Sequence, residues 1–374
     1  MRVFCVLLCF VLSSCKLVRL VNEENIVFKS NHMKLNFNDD ALVVKVKIDN
    51  KDEKFLFDTG ASNTTIFDTT LIKDFSSKEK ISLFSIKDPN GNISSFYTST
   101  NIETEMFLFN NQLVTVLPGI KNYCSDNYYY KGIVGSSFFK KSDSKMYLFD
   151  FDSLIIKNTN DKLKGKDYFE VKAKFFNNHF AIYLKINGFE EPFLFDTGNI
   201  AYPLIIGSSS NIKPINYTEF LGSEGIVASG NVKANSKYSN ENDLLISEYK
   251  INSPICFTSR KMGKYNNMGL GLIKYFNWII DFKNEKAYFK RNNLPFKKQD
   301  VIPKYKYLCM IIDKQLKIIT KLKSETSYNI NDQIISVNEK HLTPENICEM
   351  QELLNKTQDW NTLKLEVITP KKII

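Results

Sequence analysis

No Cys-x-x-Cys pair and no Cys/His cluster occurs in this chain, and it has only three histidines. The ligand spacings of a zinc site are therefore missing. There is no Ser/His/Asp set and no phosphate-cradling glycine loop. No apolar run reaches the roughly 20 residues that a membrane-spanning helix needs. The formal charge of +9 comes from lysines spread evenly along the chain. Without a dense basic run or an aromatic-basic stripe, that charge argues against a nucleic-acid partner. It reads as a solvated surface with a weak pull toward anionic lipid. A length of 374 residues leaves room for two or three domains.

What is present is a repeat. The hexapeptide FLFDTG occurs at residues 55–60 and again at 193–198. Each copy follows a β-rich run of period near two and a polar turn: 41–49 with a turn at 50–53, and 181–188 with Asn187-Gly188. Downstream, Gly132-Ile133-Val134-Gly135 matches Asn266-Asn267-Met268-Gly269 at a similar distance from its Asp. A strand pattern with an acidic turn follows each, at 146–151 and at 278–289. Landmarks in the same order at nearly the same separations predict a tandem duplication. Each half would supply one carboxylate, Asp58 and Asp196, to a shared site. Gly60 and Gly198 would permit tight turns beside them.

Over residues 37–295 this pattern resembles the pepsin-like and retropepsin-like aspartic proteases. Their landmarks are Asp-Thr-Gly in each lobe and a later apolar-apolar-Gly. Ile133-Val134-Gly135 matches that second landmark fully; Asn267-Met268-Gly269 matches in part, because Asn267 is polar. The resemblance implies a two-lobed β-barrel fold, with Asp58 and Asp196 as catalytic residues and Gly135 and Gly269 as structural glycines. It implies that Thr59 and Thr197 brace the two loops against each other. The activity implied is peptide-bond hydrolysis by a water held between two carboxylates that share one proton. The substrate would be a peptide or protein and the catalytic unit a monomer, with no metal or organic cofactor. Two positions depart from the bilobal pattern. Ala61 and Asn199 stand where many members carry Ser or Thr. Ala61 removes a hydroxyl that favours the ionised Asp. The Asn199 amide either replaces that hydroxyl or impairs the second lobe, which keeps an inactive peptide-binding or structural envelope protein as the alternative. The hairpin flap that such enzymes need is expected at 86–93, around Pro89 and Asn90-Gly91, with Phe96 and Tyr97 over the cleft. Its counterpart in the second half is expected at 222–230. Tyr128, Tyr129 and Tyr130 line a pocket or pack a strand.

Residues 296–303 read as a linker and 304–370 as a further small β/α domain. The stretch from Tyr328 to Asn338 resembles the PDZ sequence Gly-Asp-x-Ile-x-x-Val-Asn-Gly, with Asn331 and Glu339 in place of glycines. A strand at 316–319, an amphipathic helix over 341–356 and a final strand at 363–368 fit that resemblance. Thr343-Pro344-Glu345 marks the helix start, and Leu342, Ile347, Met350, Leu353 and Leu354 form its apolar stripe. No clean carboxylate-binding loop is found. The domain either takes a peptide ligand by strand addition or braces the lobes.

At the other end, Arg2, the apolar residues 3–12 and the tetrapeptide Leu-Ser-Ser-Cys at 12–15 read as an export signal. The tetrapeptide resembles a bacterial lipobox; an ordinary secretory signal cut nearby is the other reading. The resemblance implies removal of residues 1–14, lipid on Cys15, a tether over 15–36 and a place in the cell envelope. Lys16 would direct sorting to an outer membrane. Cys124, Cys256, Cys309 and Cys348 remain; their even number permits disulfides, and scattered buried thiols fit equally. Intact-mass analysis of the mature chain is expected to show an acylated Cys15 as its first residue. Cys15→Ala is expected to release soluble protein or block processing. An unmodified Cys15 would refute the anchor but not export.

Overall fold

A computed structural model describes residues 25–370, apart from 39, 79, 82–84, 89–90, 118–122, 125–129, 141–144, 160–166, 177–178, 228–229, 263 and 296–303. Cys15 and the leader, Pro89 and Asn90, Tyr128 and Tyr129, and the linker at 296–303 lie outside the described residues. The fold is mainly β. Among the described residues, no helix is long and apolar enough to cross a membrane.

The first half begins with β1 (Ala41–Ile48) and β2 (Lys51–Asp58). Their β-branched and aromatic residues face the core, with Val44, Ile48, Phe55 and Phe57 buried. The turn between them is only Asp49 and Asn50, both at positive φ, and Ile48 pairs with Lys51. It thus falls one residue earlier than the polar run suggested, because Asp and Asn tolerate the left-handed region that a two-residue hairpin demands. Next come β3 (Thr65–Ile66), β4 (Ser85–Asp88), β5 (Gly91–Ser94), β6 (Phe96–Glu103), β7 (Phe107–Val116) and β8 (Gly132–Gly135). Strands β1, β2, β8, β3, β7 and β6 pair in that order, and β6 returns to β1. This closes a six-stranded barrel. The short helix α1 (Ser137–Lys140) and strand β9 (Met146–Asp150) follow it.

The second half repeats the ladder. It runs through β10 (His179–Ile186), β11 (Phe189–Asp196), β12 (Leu204–Ile206), β13 (Tyr217–Val227), β14 (Gly230–Lys233), β15 (Ser236–Ser239), β16 (Leu244–Ile246), β17 (Ile255–Thr258) and β18 (Asn266–Gly269). β10 pairs β11, β11 runs parallel to β18, and β18, β12, β17 and β15 follow. The place of β6 is taken by two strands, β15 on β17 and β16 on β10, so the ring is interrupted. Helix α2 (Leu270–Ile273) leads to β19 (Phe276–Asp281) and β20 (Lys286–Arg291). β9 pairs antiparallel with β19, Phe149 opposite Trp278, so one sheet joins the halves. Above it a single apolar core spans both, with Phe149 against Phe195 at 5.8 Å and Phe195 against Trp278 at 5.2 Å. Burying each such ring stabilises the fold by about 1.5–3 kcal/mol.

The C-terminal unit has its own core around Tyr307, Ile318, Ile334, Leu354 and Trp360. It contains β21 (Tyr307–Ile312), β22 (Gln315–Leu322), β23 (Gln333–Val337), α3 (Ile347–Lys356) and β24 (Leu365–Ile368). The helix is shorter than its pattern predicted. His341 sits in a two-residue strand, and Thr343-Pro344-Glu345 forms a turn held by the Asn346 side chain. Leu353 is exposed, while Ile347, Met350 and Leu354 face the core. Two ties fasten this unit to the rest. β22 pairs with β13, Leu221 opposite Lys321, and Cys124 of the first half is disulfide-bonded to Cys348 on α3. Cys256 and Cys309 are buried thiols outside this disulfide. Removing a native disulfide of this kind costs about 2–5 kcal/mol. Cys348→Ser is therefore expected to lower the urea midpoint of the C-terminal unit, read by Trp360 fluorescence in a Trp278→Phe background. Dithiothreitol should shift the parent equally and leave the serine variant unmoved; equal midpoints throughout would contradict the bridge's role.

Candidate functional site

Parallel pairing sets the site. Asp58 ends β2 directly opposite Gly135 of β8, and Asp196 ends β11 directly opposite Gly269 of β18. The buried phenylalanines just before each Asp anchor the strand, so the carboxyl emerges at its end. A tight turn follows, with Ala61 N–H bonded to Asp58 O and Asn199 N–H to Asp196 O.

The two loops meet face to face. A Cβ built on Gly60 would lie 2.5 Å from Asp196 Cγ, and one on Gly198 would lie 2.2 Å from Asp58 Cγ. Each carboxyl therefore sits over the other loop's glycine, where any side chain would displace it. Thr59 and Thr197, both buried, hold this crossing. Thr59 N–H donates to Thr197 Oγ1 at 3.0 Å and Thr197 N–H to Thr59 Oγ1 at 3.1 Å. Each hydroxyl then donates across to the other strand: Thr59 to Phe195 O at 2.7 Å, Thr197 to Phe57 O at 2.6 Å. The inner oxygens are matched as well. Asp58 Oδ1 accepts from Gly60 and Ala61 N–H at 2.8 and 3.1 Å; Asp196 Oδ1 accepts from Gly198 and Asn199 N–H at 3.0 and 3.2 Å.

Beyond this pseudo-two-fold core the halves differ. Asn267, from the partly matching landmark, donates through Nδ2 to Asp196 Oδ2. Asn199 does not itself reach the carboxylate with its side chain; it donates to Asn267 Oδ1 at 2.7 Å and accepts from Tyr202 N–H at 3.2 Å. Under the first loop lies His179, the opening residue of β10. Its Nδ1 is 3.0 Å from Thr59 O and its Nε2 is 2.8 Å from Ser62 Oγ. A donor facing the carbonyl makes Nδ1 the protonated nitrogen and Nε2 the acceptor of the Ser62 hydroxyl. Ser136 Oγ, 3.3 Å from the same Nδ1, donates to Ala61 O at 3.0 Å. In the sequence His179 is one of three histidines, and its Thr59 and Ser62 partners are far along the chain. Asn267 was visible only as a polar residue in an apolar slot.

The electrostatics follow from this packing. Asp58 holds its proton well above the ordinary 3.8, first because it is buried, then because of the Asp196 charge and a hydrogen bond with Asp196. His179 is pushed below its ordinary value by burial, against the pull of the Thr59 carbonyl and the Asp196 charge.

Other expected features are placed as follows. β4 and β5 form a hairpin, with Asp88 opposite Gly91, and β13 and β14 form the hairpin at the corresponding point of the second half, with Val227 opposite Gly230. Phe96 packs on Phe75, ring centroids 5.6 Å apart, beside the barrel core. A polar surface depression lined by Lys47, Asp49, Lys73 and Asn101 lies at the opposite end of β1 and β2 from Asp58. Its Asp49 carboxylate is already bonded to Lys73 and Asn101 N–H and to Thr100 Oγ1, which makes it a turn anchor. Among the described residues, no group of three His, Cys, Asp or Glu side chains is placed to hold a metal ion. No protein-family model matches the chain, and no curated protein matches it.

A carboxyl whose folded pKa is raised favours folding fully below 3.8 and loses that contribution as pH rises through the folded value. Asp58→Asn is therefore expected to flatten the fall in unfolding free energy above pH 3.8, measured by urea titration across pH. His179 has the opposite sense, losing its contribution as pH falls below 6.5, and is common to both proteins. Parallel stability curves for parent and variant would contradict the raised Asp58 pKa.

Proposed function

We propose that the chain is an aspartic endopeptidase in which Asp58 and Asp196 act together on one water. The observation that supports this reading is the crossing of the two carboxyls over each other's glycine, where burial and the neighbouring Asp196 raise the Asp58 pKa. In the proposed reaction the ionised carboxylate takes a proton from water as its oxygen bonds to the substrate carbonyl carbon. The protonated carboxyl passes its proton to the carbonyl oxygen, giving a gem-diol. That diol then returns one hydroxyl proton to the carboxylate that gave its own. The proton taken from water moves to the amide nitrogen, the C–N bond breaks, and the dyad is restored. The hairpins β4–β5 and β13–β14 are proposed to bound the cleft that receives an extended peptide. In this reading the two halves are the lobes of an acid-protease-like unit, and lipid on Cys15 holds it at the cell envelope beside its polypeptide substrates.

The C-terminal unit is proposed to be PDZ-like in its strand and helix order, and to act as a brace. The peptide position in such a domain is the strand edge beside the helix. Here that edge of β21 is satisfied from within at Cys309. Cys309 N–H donates to Asn355 Oδ1 at 2.8 Å, and Cys309 O accepts from Asn355 Nδ2 at 3.0 Å and Gln351 Nε2 at 3.3 Å. Cys348, Gln351 and Asn355 share one face of α3, so the disulfide to Cys124 lies on that same face.

Incubation of the mature chain with a mixed peptide library from mild acid to neutral pH is expected to give internal cleavage. Asp58→Asn and Asp196→Asn should each reduce it by at least about 10²–10⁴-fold. Cleavage that survives either substitution would sink the shared-dyad reading. Peptide binding without turnover at every pH would favour an inactive envelope protein.

A further inference from the structure

Resting on the shared-dyad reading, we propose that Asn267 is a positioning residue that holds Asp196 as the ionised, water-activating carboxylate and leaves the single proton on Asp58. The polarity of the contact is set by a backbone group. Tyr202 N–H has no choice but to donate, and it donates to Asn199 Oδ1. That fixes the Asn199 amide with Nδ2 outward, donating to Asn267 Oδ1 at 2.7 Å. Asn267 is thereby fixed with its own Nδ2 directed at Asp196 Oδ2. A flip of either amide would set acceptor against acceptor and donor against donor.

Among the described residues, the first half has no equivalent. The residue in register with Leu56 is Ile133, whereas the residue in register with Leu194 is Asn267. Ala61 likewise offers no side-chain polar group where the second half has Asn199. Asp196 thus accepts from Gly198, Asn199 and Asn267, while Asp58 accepts from Gly60 and Ala61 N–H. Donors to a carboxylate favour its charged form, and such bonds are stronger when the acceptor is ionised. Of two like groups competing for one proton, the one with the additional outer donor loses it. Among the described residues, the titratable groups acting on the pair are the two carboxyls themselves and His179, which lies behind Thr59 with its pKa lowered by burial. Burial and the neighbouring charge raise Asp58 in the same direction. In the proposed reaction Asp196 is then the base that takes the water proton, and Asp58 is the acid that protonates the carbonyl oxygen.

The test is a carboxyl-carbon NMR titration of the full mature chain with ¹³C-labelled aspartate, assigned with Asp58→Asn and Asp196→Asn, alongside the pH dependence of kcat/KM. Asp196 is expected to lose its proton at lower pH than Asp58. Asn267→Leu should raise the proton affinity of Asp196 roughly tenfold, the effect of losing one hydrogen bond to a charged group. The acid limb of kcat/KM should move up by about one pH unit with it. Asn199→Ala, which frees Asn267 without altering it, should move both readouts the same way by less, and serves if the leucine variant does not fold. Asp58 deprotonating first, or titrations unmoved by both variants, would overturn the proposal. Absence of peptide cleavage with the titration order intact would count against the peptidase reading and support the role of Asn267.

Discussion

Two carboxyl groups placed over each other's backbone repel when both are charged, and the site exists only because something holds them there. The reciprocal threonine bonds supply that hold. Thr59 and Thr197 are buried, and each hydroxyl accepts from the opposite loop's N–H and donates to the opposite strand's carbonyl. Breaking one side would leave a buried N–H and a buried carbonyl without partners, at about 1–3 kcal/mol for each group. The clasp lies at the seam between the halves, directly behind the carboxyls. The β9–β19 pairing and the continuous apolar core packed on it keep the halves in one register, so the four-bond clasp closes in only one way.

The pseudo-two-fold order and its breaks have different consequences. What repeats is what positions the carboxyls: the strand ending in Asp, the parallel glycine strand, the two backbone N–H donors and the threonine. What does not repeat is what tells them apart. Asn267 and Asn199 form a polar relay under the second carboxyl, and His179, Ser62 and Ser136 form a different one under the first loop. His179 comes from the second half yet supports the Thr59 carbonyl of the first, so the histidine is a second stitch across the seam. A symmetric pair would share its proton evenly; unequal surroundings drive the two groups apart.

The C-terminal unit is held at two separated points. Strand β22 extends the sheet that carries the second-half hairpin strand β13, and the Cys124–Cys348 bridge reaches the first half. A unit fastened to both halves resists their separation, and on the edge strand β21 the Cys309 N–H and carbonyl are taken by Asn355.

The mainly β character was legible in the chain, because period-two runs such as 41–48 and 181–186 bury one face wherever they pair. The two Asp-Thr-Gly copies and the later glycines were legible for the same reason: each is a local rule repeated in order. The turn at Asp49 and Asn50 and the start of α3 at Ile347 were displaced by a residue or more, since capping and positive φ are settled by local bonds that periodicity does not report. Leu353 belonged to the apolar stripe by spacing, yet it faces solvent because the core meets only one side of the helix. The bonds of His179 with Thr59 and Ser62, the pairing of Cys124 with Cys348 and the reach of Asn267 to Asp196 join residues 71 or more positions apart. By itself the sequence determined which residues could be brought to a common site, through composition and repetition. Only the tertiary structure decided which oxygen of which carboxyl receives a third donor, because that depends on the distance and direction left after both halves have packed.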